Sequence, residues 1–171
     1  MRIGQQRIQA IAAIHELLYQ SDRLSHLNFG ETARKIANKL KDVYGSKNNI
    51  SLRLQIEPIN LNVNQAIPCG LILNELLTNA YKHAFKDRND GQIEIGLGEE
   101  QGQVYLIVHD DGVGLPKEDY SNNASTIGMT LVNLLQQQLD AELNITNGEG
   151  THCQLTFEKA EVKGIGSAVV E

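Results

Sequence analysis

The chain has 171 residues, 41% hydrophobic and 21% charged, which is typical of one globular domain and excludes a disordered or low-complexity chain. Its 15 basic and 21 acidic side chains give a formal net charge of −6, with no run of Lys and Arg, so binding to nucleic acid or to an anionic membrane is not expected. The two cysteines have no metal-ligand spacing, and no apolar run is long enough for a membrane span. A cytoplasmic location is therefore expected.

The first third of the chain predicts two helices and a strand. Residues 5–20 have apolar positions at helical spacing, and we expect this helix to be the end of a longer one. A second helix begins at Asn28, an N-cap residue with Glu31 three positions later as in a capping box, and ends at Gly45. Residues 50–57 alternate between apolar and polar side chains, which predicts a strand.

The rest of the chain predicts two more helices and four strands. The helices are at 65–85 and 127–139, and the strands are at 92–97, 103–108, 143–146 and 152–157. Turns are predicted at 98–102 and 147–150, and residues 158–171 have no pattern and are expected to be a loose tail. Helices that alternate with mostly antiparallel strands predict an α+β fold, a two-layer α/β sandwich with helices on one face of a mixed sheet.

The longest predicted helix has a line of polar residues. Glu75, Asn79, Lys82 and His83 are at positions i, i+4, i+7 and i+8, so they are expected to share the face opposite the apolar one over roughly 12 Å. A carboxylate, an amide and a cation in one line suit a magnesium–phosphate ligand. The alternative is an ordinary solvated face with a Glu–Lys pair.

Three glycine-containing segments are further candidates. Residues 110–114 (Asp-Asp-Gly-Val-Gly) follow a strand, where glycines allow close approach of the backbone, although Asp-Gly is also a common turn. Residues 126–129 (Thr-Ile-Gly-Met) open a helix whose free amides could bind an anion, or Ser125 or Thr126 simply caps it. Residues 148–151 (Gly-Glu-Gly-Thr) enter the last strand, and an ordinary hairpin explains them equally well.

The order of these segments carries a resemblance. Residues 74–80 (Asn-Glu-Leu-Leu-Thr-Asn-Ala), 110–114, 128–129 and 150–151 resemble the N, G1, G2 and G3 boxes of the Bergerat-fold, or GHKL, ATP-binding domain. Histidine kinases, gyrase-type ATPases, Hsp90 and MutL share that domain. The chain is similar to the catalytic domain of sensor histidine kinases with a HisKA_2-type dimerisation domain.

The resemblance divides the chain. It implies a remnant of the dimerisation helix at 1–27, an ATP-binding domain at 28–158 and a tail at 159–171. A Walker loop is absent from the superfamily, and the sequence contains no G-x-x-x-x-G-K-[ST] motif.

The resemblance also implies a role for each matching residue. Asp110 matches the aspartate that binds the adenine amino group, Thr151 the threonine that supports it, and Asn79 the asparagine that ligates Mg²⁺. Glu75 and Lys82 are the implied catalytic residues, Glu75 at the position of the water-activating glutamate of gyrase-type ATPases. The remaining residues implied to contact the nucleotide are Lys82, His83, Gly112, Gly114, Gly128 and Met129.

The implied function is that of a protein histidine kinase with ATP and Mg²⁺ as cofactors. The γ-phosphoryl group would pass to a histidine outside this chain, since His15 lies on the apolar stripe of its helix. The implied partners are the protein's own dimerisation domain, in a homodimer, and the receiver domain of a response regulator.

Two alternatives remain open. One is a serine-kinase anti-sigma factor of the same superfamily, and the other is a nucleotide-sensing pseudokinase. The pseudokinase remains open because the G2 segment has Gly128 without the usual second glycine. Residues 115–126 contain a polar run, 122–125, that we expect to become ordered only with nucleotide.

Overall fold

The computed structural model describes residues 27–45, 49–115 and 126–161, together with Ala12 and Glu16, which are helical. The predicted helix at 5–20, apart from these two residues, lies outside the described residues. The same holds for the polar run at 122–125 and for the predicted tail beyond residue 161.

The described residues form a five-stranded mixed sheet. Its strands are β2 (Asn49–Ile56), β4 (Asp90–Glu100), β5 (Gln103–Asp110), β6 (Glu142–Gly148) and β7 (Gly150–Glu158). Their order in the sheet is β2-β4-β5-β7-β6, in which β2 and β4 pair in parallel and the other neighbours are antiparallel. Two short strands, β1 (Leu27–Asn28) and β3 (Asn60–Leu61), pair separately and were not predicted, because two residues are too few to show alternation.

In residues 27–161, as far as they are described, three α-helices form the second layer: α1 (Phe29–Tyr44), α2 (Val63–Asn79) and α3 (Ile127–Gln138). Each begins where a side chain accepts a hydrogen bond from the backbone of the first turn. The caps are Asn28, as predicted, Asn62 and Thr126. The predicted α+β class and mixed sheet are confirmed.

The core lies between the sheet and the helices. In β5, Val104, Leu106 and Val108 are buried, whereas the intervening side chains are partly exposed on the opposite face of the sheet. The same alternation along β7 buries Leu155 and Phe157. Burying each such side chain contributes about 1.5–3 kcal/mol, and this alternation fixes which residues face the helices.

The predicted helix at 65–85 differs from the structure in its last turn. The α-helix ends at Asn79, and Ala80–Ala84 form a π-helix. Its last carbonyl, on Ala84, accepts a hydrogen bond of 2.9 Å from the amide of Val113 in the loop after β5. The wider turn changes the direction of every side chain after Asn79 relative to a straight α-helix. Single π-turns often occur at functional sites.

Two hairpin turns are tighter than predicted. The turn between β4 and β5 is only Gln101 and Gly102, both with positive φ, rather than residues 98–102. The turn between β6 and β7 is only Glu149, because Gly148 and Gly150 already pair with each other.

The expectation of a loose tail is wrong for its first described residues. The Lys159 amide donates to the Gly102 carbonyl at 2.8 Å, and the Ala160 amide donates to the Gln65 side chain at 3.0 Å. These bonds extend the ordered chain beyond β7.

Candidate nucleotide site

A buried carboxylate lies at the end of the central strand β5. Asp110 is only 5% exposed, and its Oδ1 accepts hydrogen bonds from the amides of Gly112 at 3.0 Å and Thr151 at 3.2 Å. One bond comes from the loop that follows Asp110 and the other from the neighbouring strand β7. The carboxylate is therefore held in a fixed orientation at the helical side of the sheet.

The electrostatics of Asp110 are unusual for a carboxylate. Burial raises the pKa of Asp110, and this effect is only partly opposed by the hydrogen bonds from Gly112 and Thr151 and by the charge of His109. Burying a carboxylate is costly, so buried carboxylates occur mainly where their chemistry is used.

Two glycines allow the backbone to approach Asp110 closely. Gly150 has a φ of +86°, and a Cβ there would overlap the carbonyl oxygen of Asp110. A Cβ at Gly112 would overlap the carbonyl oxygen of Ala84 at the end of the π-helix. Both positions therefore require glycine for packing within the protein, whatever role they have toward a ligand.

Asn147 is a site residue that sequence reasoning did not find. Its side-chain amide forms two hydrogen bonds with the backbone of Leu115, from the Leu115 amide to Oδ1 at 3.1 Å and from Nδ2 to the Leu115 carbonyl at 3.0 Å. The predicted site residue Gly114, with φ +72°, packs against the same side chain. Asn147 therefore holds the loop after Asp110 in place. In the sequence, Asn147 begins an Asn-Gly pair, a pattern that predicts a turn rather than a site residue.

A second group of predicted residues meets where α2 and α3 come together. The Asn79 side chain is half-buried, and its Nδ2 donates to the sulfur of Met129 at 3.6 Å. Helix α3 begins at Ile127, and the Met129 amide donates to Thr126 Oγ1 at 3.3 Å, so the alternative of capping by Thr126 is confirmed. Gly128 is buried in this first turn. The structure thus brings the second half of the N-box segment to the start of α3.

Glu75 does not lie on a solvated face, so the alternative interpretation of the polar line is wrong for this residue. Its side chain is buried at 4% exposure, and its charge adds to burial in raising the pKa of Tyr44. The burial follows from the packing of α1 against α2, which periodicity within one helix cannot show.

Lys82 and His83 lie within the π-helix and have different surroundings. The Lys82 ammonium lies 5.7 Å from the centre of the Tyr44 ring, a cation–π contact at the end of α1. The His83 residue is exposed, yet partial desolvation of its ring, together with the charges of Lys86 and Lys82, lowers its pKa. Of the predicted line, Glu75 and Lys82 therefore both lie near Tyr44, whereas His83 is exposed.

The two groups are connected through the π-helix. Asp110, Gly112 and Thr151 form the first group, and Asn79, Gly128 and Met129 the second. The bond from Val113 to Ala84 joins the loop of the first group to the π-helix that continues from Asn79. A ligand held by both groups would therefore lie between the end of β5 and the start of α3.

The described residues offer few grouped side-chain ligands for a metal ion. Within the described ranges, no group of three or more His, Cys, Asp and Glu side chains is arranged to hold a metal ion. The amide oxygen of Asn79 is a suitable Mg²⁺ ligand, and a nucleotide's phosphates and water would supply the others.

No helix in the described part of the chain has both the length and the hydropathy to span a membrane.

The sequence profile of the histidine kinase-, DNA gyrase B- and HSP90-like ATPases matches residues 64–161, more than half of the chain. The chain belongs to this family. A histidine kinase profile, HisKA_2, matches residues 1–44 of this ATPase-family chain. The combination confirms the resemblance drawn from the four boxes.

Two relatives of this ATPase-family chain are histidine kinases. Blue-light-activated histidine kinase 2 of Erythrobacter litoralis is 35% identical over 67% of this chain and 33% of its own length. Sensor histidine kinase PdtaS of Mycobacterium tuberculosis is 26% identical over 81% of this chain and 28% of its own. The chain thus spans about a third of the length of these relatives.

Solved structures agree with the fold. The histidine kinase domain of the Erythrobacter litoralis EL346 blue-light-activated kinase superposes with a TM-score of 0.82 at 29% identity, covering 90% of this chain and 75% of that one. The catalytic domain of histidine kinase ThkA gives 0.66 at 14% identity, covering 80% and 96%, and shows the fold alone.

Proposed function

We propose that this chain is the ATP-binding catalytic part of a two-component sensor histidine kinase. The kinase would transfer the γ-phosphoryl group of Mg-ATP to a histidine of its dimerisation domain. From that histidine the phosphoryl group would pass to an aspartate of the response regulator. The observation that carries the proposal is the buried carboxylate of Asp110, bonded by Gly112 and Thr151, in a chain of the ATPase family. A fixed, desolvated acceptor suits the amino group of adenine.

The residues present fit Mg-ATP. Asp110 and Thr151 would hold the base, and the loop fixed by Asn147 would cover one side of it. The Asn79 amide oxygen would hold Mg²⁺, which when bound neutralises phosphate charge during transfer. The start of α3 at Gly128 and Met129 would face the phosphates.

Lys82 and Glu75 would have less direct roles than the resemblance implies. The Lys82 ammonium lies at the Tyr44 ring, so binding phosphate would require its long side chain to rotate away. Glu75 is buried beside Tyr44 rather than displayed to a nucleophile. Because imidazole is already nucleophilic, a buried Glu75 that orients its surroundings is sufficient for histidine phosphorylation.

The partners of the chain and its location in the cell are also proposals. The implied partners are a second copy of the protein, through its dimerisation domain, and a receiver domain, and the site of action is the cytoplasm, where ATP is present. The HisKA_2 match over residues 1–44 favours this assignment over a serine-kinase anti-sigma factor. The domain division at residues 27 and 158 remains a prediction.

Calorimetry with Mg²⁺ and a non-hydrolysable ATP analogue tests the nucleotide site. Asp110→Asn should weaken binding by at least about tenfold, because a charged acceptor is lost from a buried hydrogen bond, and should reduce the preference over GTP. Asp111→Asn is the matched control: its Oδ1 accepts from the Gln92 amide at 2.8 Å, an interaction that an asparagine oxygen can retain. Equal affinities of the wild type and Asp110→Asn would refute the site.

Labelled ATP tests the transfer step. We expect that His15 does not become phosphorylated when the chain is incubated with [γ-³²P]ATP and Mg²⁺, because it lies on an apolar helical stripe. Acid-labile, base-stable label mapped to His15 would contradict this expectation. Nucleotide binding without transfer to a supplied HisKA_2 dimerisation domain would favour the nucleotide-sensing alternative.

A further inference from the structure

The sheet face away from the helices carries two histidines directly behind the proposed adenine residues. His109 precedes Asp110 in β5, and His152 follows Thr151 in β7, so strand alternation directs both to the opposite face. The two residues are paired in register across the strands, and their ring centres are 5.6 Å apart with a tilt of 53°. Both are partly exposed and line one cavity of about 200 Å³.

We propose that His109 and His152 bind one divalent transition-metal ion of the Ni²⁺, Cu²⁺ or Zn²⁺ class. Imidazole nitrogen is a preferred ligand of these ions, whereas Mg²⁺ prefers oxygen ligands. The site is therefore chemically different from the one proposed for Mg-ATP, and it lies on the other face of the sheet.

The separation of the rings matches a shared ion. A nitrogen bonded to a metal at about 2.0–2.1 Å places the imidazole centre roughly 3 Å from that metal. Two imidazoles at about 110–120° around one ion then have centres roughly 5–6 Å apart. The observed 5.6 Å lies in this range, so the sheet already supplies the spacing.

One nitrogen of the His109 ring contacts the protein, which leaves the other for a metal. Its Nδ1 lies 3.2 Å from the Thr151 carbonyl oxygen, and a carbonyl oxygen accepts only from a protonated Nδ1. In the neutral form of such a ring, Nε2 carries the lone pair. A second-shell hydrogen bond of this kind is what usually fixes metal-binding histidines.

The surroundings of the pair add no third protein ligand. Glu94 is in register with His109, and its Oε1 accepts from Gln92 at 2.6 Å and Arg53 at 3.2 Å. Because Arg53 balances the charge of Glu94, the affinity for the ion would come from the two imidazoles. Because no described trio of His, Cys, Asp and Glu can hold a metal, water would complete the coordination.

The test is a Ni²⁺ titration by calorimetry of tag-free, nucleotide-free protein. His152→Gln should weaken the site by at least about tenfold, since loss of even an outer-shell partner costs that much. It preserves the His109–Thr151 contact, so folding is not at risk from that bond. His83→Gln, which removes an exposed imidazole of the helical layer, is the matched control and should bind Ni²⁺ like the wild type.

Electron paramagnetic resonance with Cu²⁺ gives an independent readout. The wild type should show two coordinated nitrogens, and either His152→Gln or His109→Gln should show at most one. Unchanged Ni²⁺ affinity in His152→Gln, or a Cu²⁺ spectrum identical in all three proteins, would overturn the proposal. Because no nucleotide is present, these results are independent of whether the chain binds ATP.

Discussion

Gly150 gives the sharpest test of how the adenine side of the site is built. It begins β7, it has a φ of +86°, and a Cβ would overlap the Asp110 carbonyl oxygen, a backbone atom that cannot rotate away. Gly150→Ala therefore combines two separate penalties, one from the backbone conformation and one from the overlap.

Two other glycines separate these penalties. Gly102 also has a positive φ, +81°, but no atom lies within 4 Å of the place of its Cβ. Gly148, two residues before Gly150, has neither a positive φ nor a close neighbour. The Gly102→Ala and Gly148→Ala variants are therefore matched controls.

The expected magnitudes follow from this comparison. Gly148→Ala should leave the free energy of unfolding unchanged or raise it by up to about 1 kcal/mol, because alanine reduces the entropy of the unfolded chain. Gly102→Ala should lower it by about 1–2 kcal/mol for the left-handed conformation. Gly150→Ala adds about 1–3 kcal/mol for the overlap, about 2–5 kcal/mol in all. At about 2–4 °C per kcal/mol, the melting temperature should fall by roughly 4–20 °C.

Differential scanning calorimetry of the three variants measures these differences, and binding of the ATP analogue provides a second readout. Gly150→Ala should weaken nucleotide binding because the overlap displaces Asp110, whereas Gly102→Ala should not. A Gly150→Ala variant no less stable than Gly102→Ala would show that the approach to Asp110 is not close, and the reasoning would fail.

Three further variants probe the site. Asn79→Ala should reduce Mg²⁺-dependent affinity for the ATP analogue by at least about tenfold while leaving Mg²⁺-free binding little changed; equal losses with and without Mg²⁺ would contradict the metal role. Asn147→Ala removes two hydrogen bonds that are exposed to water. We therefore expect the free energy of unfolding to fall by about 1 kcal/mol and hydrogen exchange at the Leu115 amide to become faster. An unchanged exchange rate would contradict this expectation. For pH dependence, burial raises the pKa of Asp110, so the penalty for its charge is present at pH 7 and disappears as the pH falls through the raised value toward 3.8. In urea denaturation at pH 7 and pH 4, the wild type should therefore gain stability on acidification relative to Asp110→Asn, and parallel behaviour would refute this.

Much of the fold could be predicted because it depends on local patterns. Apolar spacing located all three helices and five of the strands, and side-chain chemistry identified Asn28 and Thr126 as possible caps. The strand ends were less predictable, since pairing with a neighbour extends a strand beyond its alternating residues. Thus β4 reaches Glu100 because its partner β5 begins at Gln103 across a two-residue turn.

The contacts within the candidate site could be predicted only in part. The order of the boxes identified Asp110 and Thr151, which do contact each other. Three features could not be predicted, because each depends on packing between distant elements. They are the π-helix after Asn79, the burial of Glu75 and the position of Lys82 at Tyr44. Asn147 was missed because its partner, Leu115, is 32 residues away.

Both proposed sites depend on the register of β5 against β7. That register pairs His109 with His152 on one face, and alternation turns the adjacent Asp110 and Thr151 toward the other. A slip of one residue would exchange the faces, exposing Asp110 and burying an imidazole. The buried Leu106, Val108 and Leu155 oppose such a slip, because each would lose about 1.5–3 kcal/mol of burial. The apolar core of the sheet therefore specifies the position of the polar site at its end.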